Sequence, residues 1–313
     1  MHAAQGGHLE VLRWAREHGC PWGVETCSAA ARGGHLEMLR WAREQGCQWD
    51  EPSVCSDAAA GGHLDVLQWL REQDCPWGAS TCAMTAGGGH LEVLKWARAH
   101  HCPWDGYETS RAAGGGHLET LRWAVDHGCP WSEGTCGAAA EGGHLEALKL
   151  AVEHGCPLGE DDDICYAAAS YGHREVLKWA HERGCPWDQQ TTAWAAEGGY
   201  LETLLYAREN GCPWDGQVCS FAAGNGHLEV LQWARAQDPP CPWDEYTCEA
   251  AVIGGEGGDH ERHLEVLQWA RENGCPWDKE RCLARASDDS RVSADGRISS
   301  HRLNAVGRCR LTV

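Results

Sequence analysis

No run of about 18 consecutive apolar residues occurs in the chain, so no membrane-spanning helix is expected. The amino terminus, MHAAQGGHLE, also lacks the charged-then-apolar pattern of a secretory leader. C-x-x-C spacing is absent, and short ligand pairs of that kind are what structural zinc sites normally show. There is no Gly-Lys-Ser/Thr phosphate loop, because Gly-rich stretches such as Gly87-Gly88-Gly89 carry no lysine. Neither G-x-S-x-G nor H-E-x-x-H is found, and His-Leu-Glu-x-Leu is helix patterning. These absences leave no enzyme signature.

Positive charge is scarce as well. Against 46 acidic residues stand 26 Lys and Arg, for a formal net charge of −20. From Leu283 onward six Arg face three Asp, a surplus of +3, so residues 1–282 carry −23. A phosphate-binding surface needs a basic face, which argues against nucleic acid or an anionic membrane as partner. The acidity favours a protein partner with a basic segment. Many cysteines without a leader predict free thiols in a reducing compartment, with the cytoplasm as default and the nucleus as the other choice.

Phenylalanine occurs once, beside 18 Trp, 39 Gly and 19 Cys. That skew is what multiplication of one short unit produces. The anchor is Gly-His-Leu-Glu, with His at 8, 35, 63, 90, 117, 144, 173, 227 and 263 and Tyr200 in one copy. Steps are 27 residues except for 28, 29 and a final 36. The extra residues fall around Asp50–Val54, Gly159–Ile164, Pro239–Pro240 and Ile253–Arg262, all expected turns.

Each unit reads as helix, turn, helix, turn. Asp244 is a preferred N-cap, and equivalent positions hold Asp105, Asp188, Asp215, Asp278, Ser132, or a Gly such as Gly23 and Gly78. Cys27 shares one helix face with Ala30 and Ala31, as Cys136 does with Ala139 and Ala140. These residues are small, so a neighbouring helix can come close. A Gly pair then ends the helix through a left-handed cap. In the second helix Leu9, Val11, Leu12 and Ala15 form an apolar stripe, with Glu10, Arg13 and Glu17 opposite. Arg13 and Glu17, four apart, are expected to pair. Helices shorter than about 12–15 residues are marginal alone. The units must therefore stack, giving an all-α solenoid of helix-turn-helix repeats.

The stretch TCSAAARGGHLEMLRWAREQGC, Thr26–Cys47, resembles the ankyrin repeat. That unit reads T-P-L-H-x-A-A, a Gly-containing turn, then a leucine-rich second helix. Cys27 falls at the Leu of T-P-L-H, and Gly46-Cys47-Gln48-Trp49-Asp50 at the family's Gly-Ala-Asp-Val-Asn turn. The resemblance covers roughly residues 1–286 in ten copies. It implies a superhelical stack without catalysis or cofactor that holds a protein partner on a concave face lined by the first helices. The common ankyrin period is about 33. The missing residues lie before the first helix, which predicts hairpins reduced to bare turns. The T-P-L-H His is replaced by Ser28, Ser56 and Ala83, which leaves the groove floor as the binding element.

The runner-up is a metal- or redox-responsive cysteine-rich protein. Equivalent residues in stacked units should stand about 8–10 Å apart. Disulfides need Cα atoms within about 7 Å, and zinc needs four ligands around one point. A ladder of one Cys per unit meets neither demand. Thr109 and Thr192 fill the first-helix Cys slot, as a size requirement would allow. The one local contact left open joins a turn Cys to the next first-helix Cys, as in Cys20 and Cys27. Tryptophans occur on the second helix (Trp14, Trp41, Trp69) and in the turn (Trp22, Trp49, Trp77), which predicts packing between units.

Recognition in a stack uses projecting side chains that vary between copies. Residues two before and two after the first-helix Cys should point outward. They include Met84, Tyr107, Arg111, Trp194, Phe221 and Tyr246, the candidate partner-binding residues. Trp194, Phe221 and Tyr246 would form an aromatic strip over successive units. The competing reading folds Trp194 and Phe221 inward to fill gaps left by Thr192 and the Gly-rich turn. The chain starts inside a first helix, and the repeat fails after Cys282. Residues 1–286 are expected to form the solenoid, and the Ser/Arg-rich tail 287–313 to be disordered. Both ends read as an incomplete gene product. A monomer is expected.

Overall fold

The computed structural model describes residues 2–282, apart from 22, 48, 50–51, 157–163, 255–259, 279 and 281. The tail 287–313 lies outside these. Among the described residues there are twenty helices and no strand. The chain divides into two units, Met1–Asp162 and Asp163–Val313.

In the first unit α1 (His2–Gln5) and α2 (Leu9–Glu17) precede α3 (Val24–Arg32) and α4 (Leu36–Glu44). Next come α5 (Ser53–Ala60), α6 (Leu64–Glu72), α7 (Ala79–Gly87) and α8 (Leu91–Ala99). The unit closes with α9 (Tyr107–Gly114), α10 (Leu118–Asp126), α11 (Thr135–Glu141) and α12 (Leu145–Glu153). The second unit holds α13 (Ile164–Ser170), α14 (Arg174–Glu182), α15 (Gln189–Glu197) and α16 (Leu201–Glu209). It continues with α17 (Gly216–Gly224), α18 (Leu228–Ala236), α19 (Glu245–Gly254) and α20 (His260–Glu272).

Within each unit every first helix packs on the first helices before and after it, and on the second helix of its own repeat. The inward face is the one the spacing predicts: Cys27, Ala30, Ala31, Cys136, Ala139 and Ala140 are buried. Leu39, Leu67, Leu94 and Leu121, one each from α4, α6, α8 and α10, are fully buried beside them. Burying a leucine stabilises by about 1.5–3 kcal/mol, so each repeat draws its stability from a thin strip of core. The helical repeat is the chain's fold class.

Two Schellman motifs close most repeats, whereas α18 ends on an extended Gln237. After α3, the N–H of His35 reaches the Ala30 carbonyl and that of Gly34 the Ala31 carbonyl. After α2, Cys20 and Gly19 bond Ala15 and Arg16 in the same way. Gly34 and Gly19 take φ of 76° and 75°, the left-handed region that glycine tolerates. Asp74 and His101 hold the second of these positions without that freedom, at φ of 56° and 63°.

The recurring histidines do not cap their own helices through their side chains. The ring of His90 hydrogen-bonds through Nε2 to the Ala60 carbonyl, at the end of the preceding repeat's first helix, 3.0 Å away. His35, His63 and His117 make the same bond to Gln5, Arg32 and Gly87, and His227 and His263 to Glu197 and Gly224. The ring therefore fastens one repeat to the one before.

Many indoles join repeats as the sequence predicts, but Trp14 is exposed and stacks on His18 at the end of its own helix, and Trp22 lies outside the described residues. Trp49, Trp77 and Trp104 in the turns meet Trp69, Trp96 and Trp123 of the next repeat edge to face, at 5.7, 5.7 and 6.3 Å. In the second unit Trp214 meets Trp233 and Trp243 meets Trp269. Such pairs add about 0.5–1.5 kcal/mol beyond their burial. Arg98 lies over Trp104 at 4.0 Å and donates to the Cys102 carbonyl, and Arg71, Arg208 and Arg235 act likewise.

Four local expectations are corrected. Arg13 pairs with Glu10 at 3.6 Å and not with Glu17. Ser132 does not cap α11, which starts at Thr135 with Gly134 at the cap. The Asp105 carboxylate accepts from the Tyr107 N–H, while Gly106 occupies the cap at φ 104°. Finally, His260, Glu261 and Arg262 are helical and lengthen α20 to 13 residues. Glu261 in that first turn faces the positive end of the helix dipole, where an acid is favoured. Asp188 and Asp215 do cap, accepting from the Gln190 and Gln217 N–H groups.

Candidate partner-binding surface

The cysteines were expected to stay apart, and here the structure differs. The two that meet belong to one repeat: the first-helix Cys and the turn Cys that follows its second helix. Cys27 and Cys47 are joined as a disulfide, against the expectation of free thiols throughout. The Sγ atoms of Cys136 and Cys156 lie 3.4 Å apart. Cys55, Cys165 and Cys219 direct their thiols to the carbonyls of Cys75, Cys185 and Cys241 at 3.7, 3.8 and 4.0 Å. The pairs lie across a repeat, so the inter-repeat spacing that rules out a ladder disulfide does not separate them. Cys20 is exposed, and the open contact between turn Cys and next first-helix Cys is not the one formed. Among the described residues no three His, Cys, Asp or Glu side chains converge as a metal site.

The six candidate residues fall three in each unit. In the first, Met84 is half-buried on α7, and α9 carries Tyr107 and Arg111, both exposed. Tyr107 is 64 % exposed, among the most open of the large apolar side chains. Arg111 lies along the small surface of the preceding helix, its Cβ 3.4 Å from where Gly87 would carry one. In the second unit Trp194 and Phe221 are half-buried, with ring centroids 5.9 Å apart, and Tyr246 is 51 % exposed. Tyr166 packs edge-on against Trp194 at 5.4 Å and extends the strip toward α13. It sits one residue after Cys165 and so escaped a rule built on positions two before and two after. The signal was a lone aromatic in the first helix preceding Trp194.

Positions two before the Cys are the more open ones: Glu25, Ser80, Gln190, Tyr107 and Tyr246 are exposed, while Ser53 and Gln217 are half-buried. Positions two after are half-buried where described, apart from exposed Arg111 and buried Ala167, because they face the neighbouring first helix.

Between α9 and α11 this open edge forms a groove of about 590 Å³. Tyr107, Asp105 and Ser110 stand on one side, and Ser132, Glu133, Ala138 and Glu141 on the other. Its charged lining residues, Asp105, Glu133 and Glu141, are all acidic. Gly134 and Gly137 keep its floor low.

Behind the groove lies a buried acid. Glu108 is fully buried, with Oε2 accepting from the Gly106 N–H at 3.0 Å and from the Cys129 thiol at 3.6 Å. Its Oε1 has no hydrogen-bond partner. Burial pushes the Glu108 carboxyl above its usual range. The carboxyl in turn raises the Cys129 thiol, which burial pushes up to about 12.

No helix among the described residues is long and apolar enough to cross a membrane. The geometry defines a helical repeat protein. No family model matches the chain, and no curated protein does. Among solved structures the chain is similar to the human ASB11 ankyrin repeat domain, at 16 % identity and a TM-score of 0.42. That likeness covers 51 % of this chain and 84 % of the other. The fold assignment rests on the chain's own geometry.

Proposed function

We propose that the chain is a non-catalytic scaffold, an ankyrin-like stack of short repeats that holds a basic segment of a protein partner against its first helices. The observation that carries this reading is the groove beside Tyr107, where an exposed aromatic ring meets a lining whose charged residues are all acidic. Aromatic rings with flanking charge are the usual anchors of protein interfaces. The small residues between first helices let those helices approach closely, as an inner, concave row requires. The strip of Trp194 and Phe221 with Tyr246 is a second anchoring region on the other unit. The cytosol or nucleus is the compartment this reading favours.

Titration with a Lys/Arg-rich peptide set, read by fluorescence anisotropy, tests the groove. Basic peptides should bind with an affinity that falls as salt rises. The pair Glu133→Lys and Glu141→Lys, both at exposed positions, should weaken binding at least about tenfold, roughly 1.4 kcal/mol. Equal binding of neutral peptides, or indifference to both substitutions, would count against the proposal. Once affinity capture and mass spectrometry have named a partner, Trp194→Ala with Phe221→Ala should weaken its capture and leave the helical circular-dichroism signal intact. Loss of that signal would make the two rings core.

A further inference from the structure

Nineteen cysteines serve no part of the binding reading, and their placement is ordered. Seven repeats hold a first-helix Cys and a turn Cys: 27 with 47, 55 with 75, 82 with 102, 136 with 156, 165 with 185, 219 with 241, and 248 with 275. Two other repeats carry Thr109 and Thr192 in the first-helix slot, which leaves Cys129 and Cys212 without a partner thiol. Sulfur meets its own repeat in every pair for which a contact is described. The first pair is bonded, and Cys136 and Cys156 stand with their sulfurs 3.4 Å apart. Thiols of Cys55, Cys82 and Cys219 point at the turn Cys residue.

We propose that these seven pairs are dithiol–disulfide couples that close within single repeats under a low-molecular-weight disulfide oxidant, each tying the turn to the first helix of its own repeat. The thiolate of the turn Cys attacks one sulfur of the oxidant and expels one thiolate. The first-helix Cys, losing its proton, attacks the turn sulfur of that mixed disulfide and expels the second. The pair loses two electrons and two protons, and the oxidant leaves as two thiols.

The surroundings suit those roles. The hydrogen bond from Cys55 holds the Cys75 thiol below its ordinary value, and Arg71 adds to the effect. Cys82 with Arg98 does the same for Cys102, and Cys248 with Arg235 for Cys275. Where no partner exists the turn thiol goes the other way, since burial pushes Cys212 up to about 12. Oxidant reaches buried sulfur when a repeat opens locally.

The test uses the full chain, folded, in buffers of oxidised and reduced glutathione, quenched with iodoacetamide and mapped without reduction. Linked peptides should join the two cysteines of one repeat, while Cys129 and Cys212 stay alkylated or carry glutathione. The urea midpoint should rise with oxidation and return on adding dithiothreitol. Cys136→Thr copies what two repeats already hold, so it should fold, and it should remove only the link to Cys156. Thr192→Cys should add a link between position 192 and Cys212. Links between turn cysteines of different repeats, paired cysteines no more oxidised than Cys129 and Cys212, or an alkylatable position 192 would overturn the proposal.

Discussion

Glu108 shows what a single slot can reveal. Its equivalents are Thr26, Val54, Thr81, Thr135, Ile164, Thr191, Val218 and Thr247, small or apolar residues suited to a buried position. A carboxyl there has one oxygen unpartnered. Leaving a buried polar group unsatisfied costs about 1–3 kcal/mol. Glu108→Thr should therefore raise stability at neutral pH by an amount in that range, measured by urea unfolding. The pH dependence has a definite sign. The folded carboxyl binds its proton more tightly than the unfolded one, because burial raises it. Its contribution is fully present below the ordinary carboxylate value and is lost as pH rises through the raised one. The gain from Glu108→Thr should shrink toward pH 4, and a gain that is constant with pH would count against this assignment. The odd residue was visible in the sequence, but its burial beside Gly106 and Cys129 was not, since that depends on the facing turn. The histidines follow the same rule. Their recurrence directly after the Gly turn was legible, whereas the carbonyl they reach belongs to another repeat.

At the scale of the element, the Gly-Gly-His turn has two reasons for its glycines. The left-handed φ was expected from cap chemistry. The second reason is room. A Cβ on Gly89 would lie against the imidazole of His117 in the next repeat, whereas one on Gly128, at φ 81°, would meet nothing within 4 Å. Both positions carry the left-handed penalty of about 1–2 kcal/mol for a side chain. Gly89→Ala should therefore cost at least about 1 kcal/mol more than Gly128→Ala, the larger figure including the displaced ring and its hydrogen bond to Gly87. Equal losses in paired thermal or urea unfolding would mean the slot does not matter. Helix limits were mostly legible because Asp188, Asp215 and the Gly pairs mark them. The exceptions have local causes. Gly106 takes the cap that Asp105 was expected to hold, and His260–Arg262 continue a helix across an insertion where a turn was expected. Arg13 turns to Glu10, one turn toward its own helix start, and on an exposed face either partner contributes only a few tenths of a kcal/mol.

For the whole molecule, periodicity dictated most of the architecture. Ten near-copies with Cys, Ala and Leu on inward faces can only bury those faces against one another, and the buried residues are the ones expected except on α2, where Leu9, Leu12 and Ala15 are half-buried and Val11 is exposed. What the period could not reveal is which groups meet across a repeat, such as Cys136 with Cys156, because that distance is set by helix packing and not by sequence spacing. It could not fix the binding edge either, since half-buried Trp194 and exposed Tyr246 obey the same outward rule. The central claim is that imidazole and indole join interchangeable repeats, while sulfur meets sulfur or backbone within each one. Its most direct test is excision of residues 63–89, one 27-residue period that leaves Gly62 joined to His90 in the native Gly-Gly-His order. Circular dichroism and urea unfolding of the shortened chain should show unchanged helicity per residue, a cooperative transition and an m-value reduced in proportion to length. Loss of helicity or of the transition would contradict the claim.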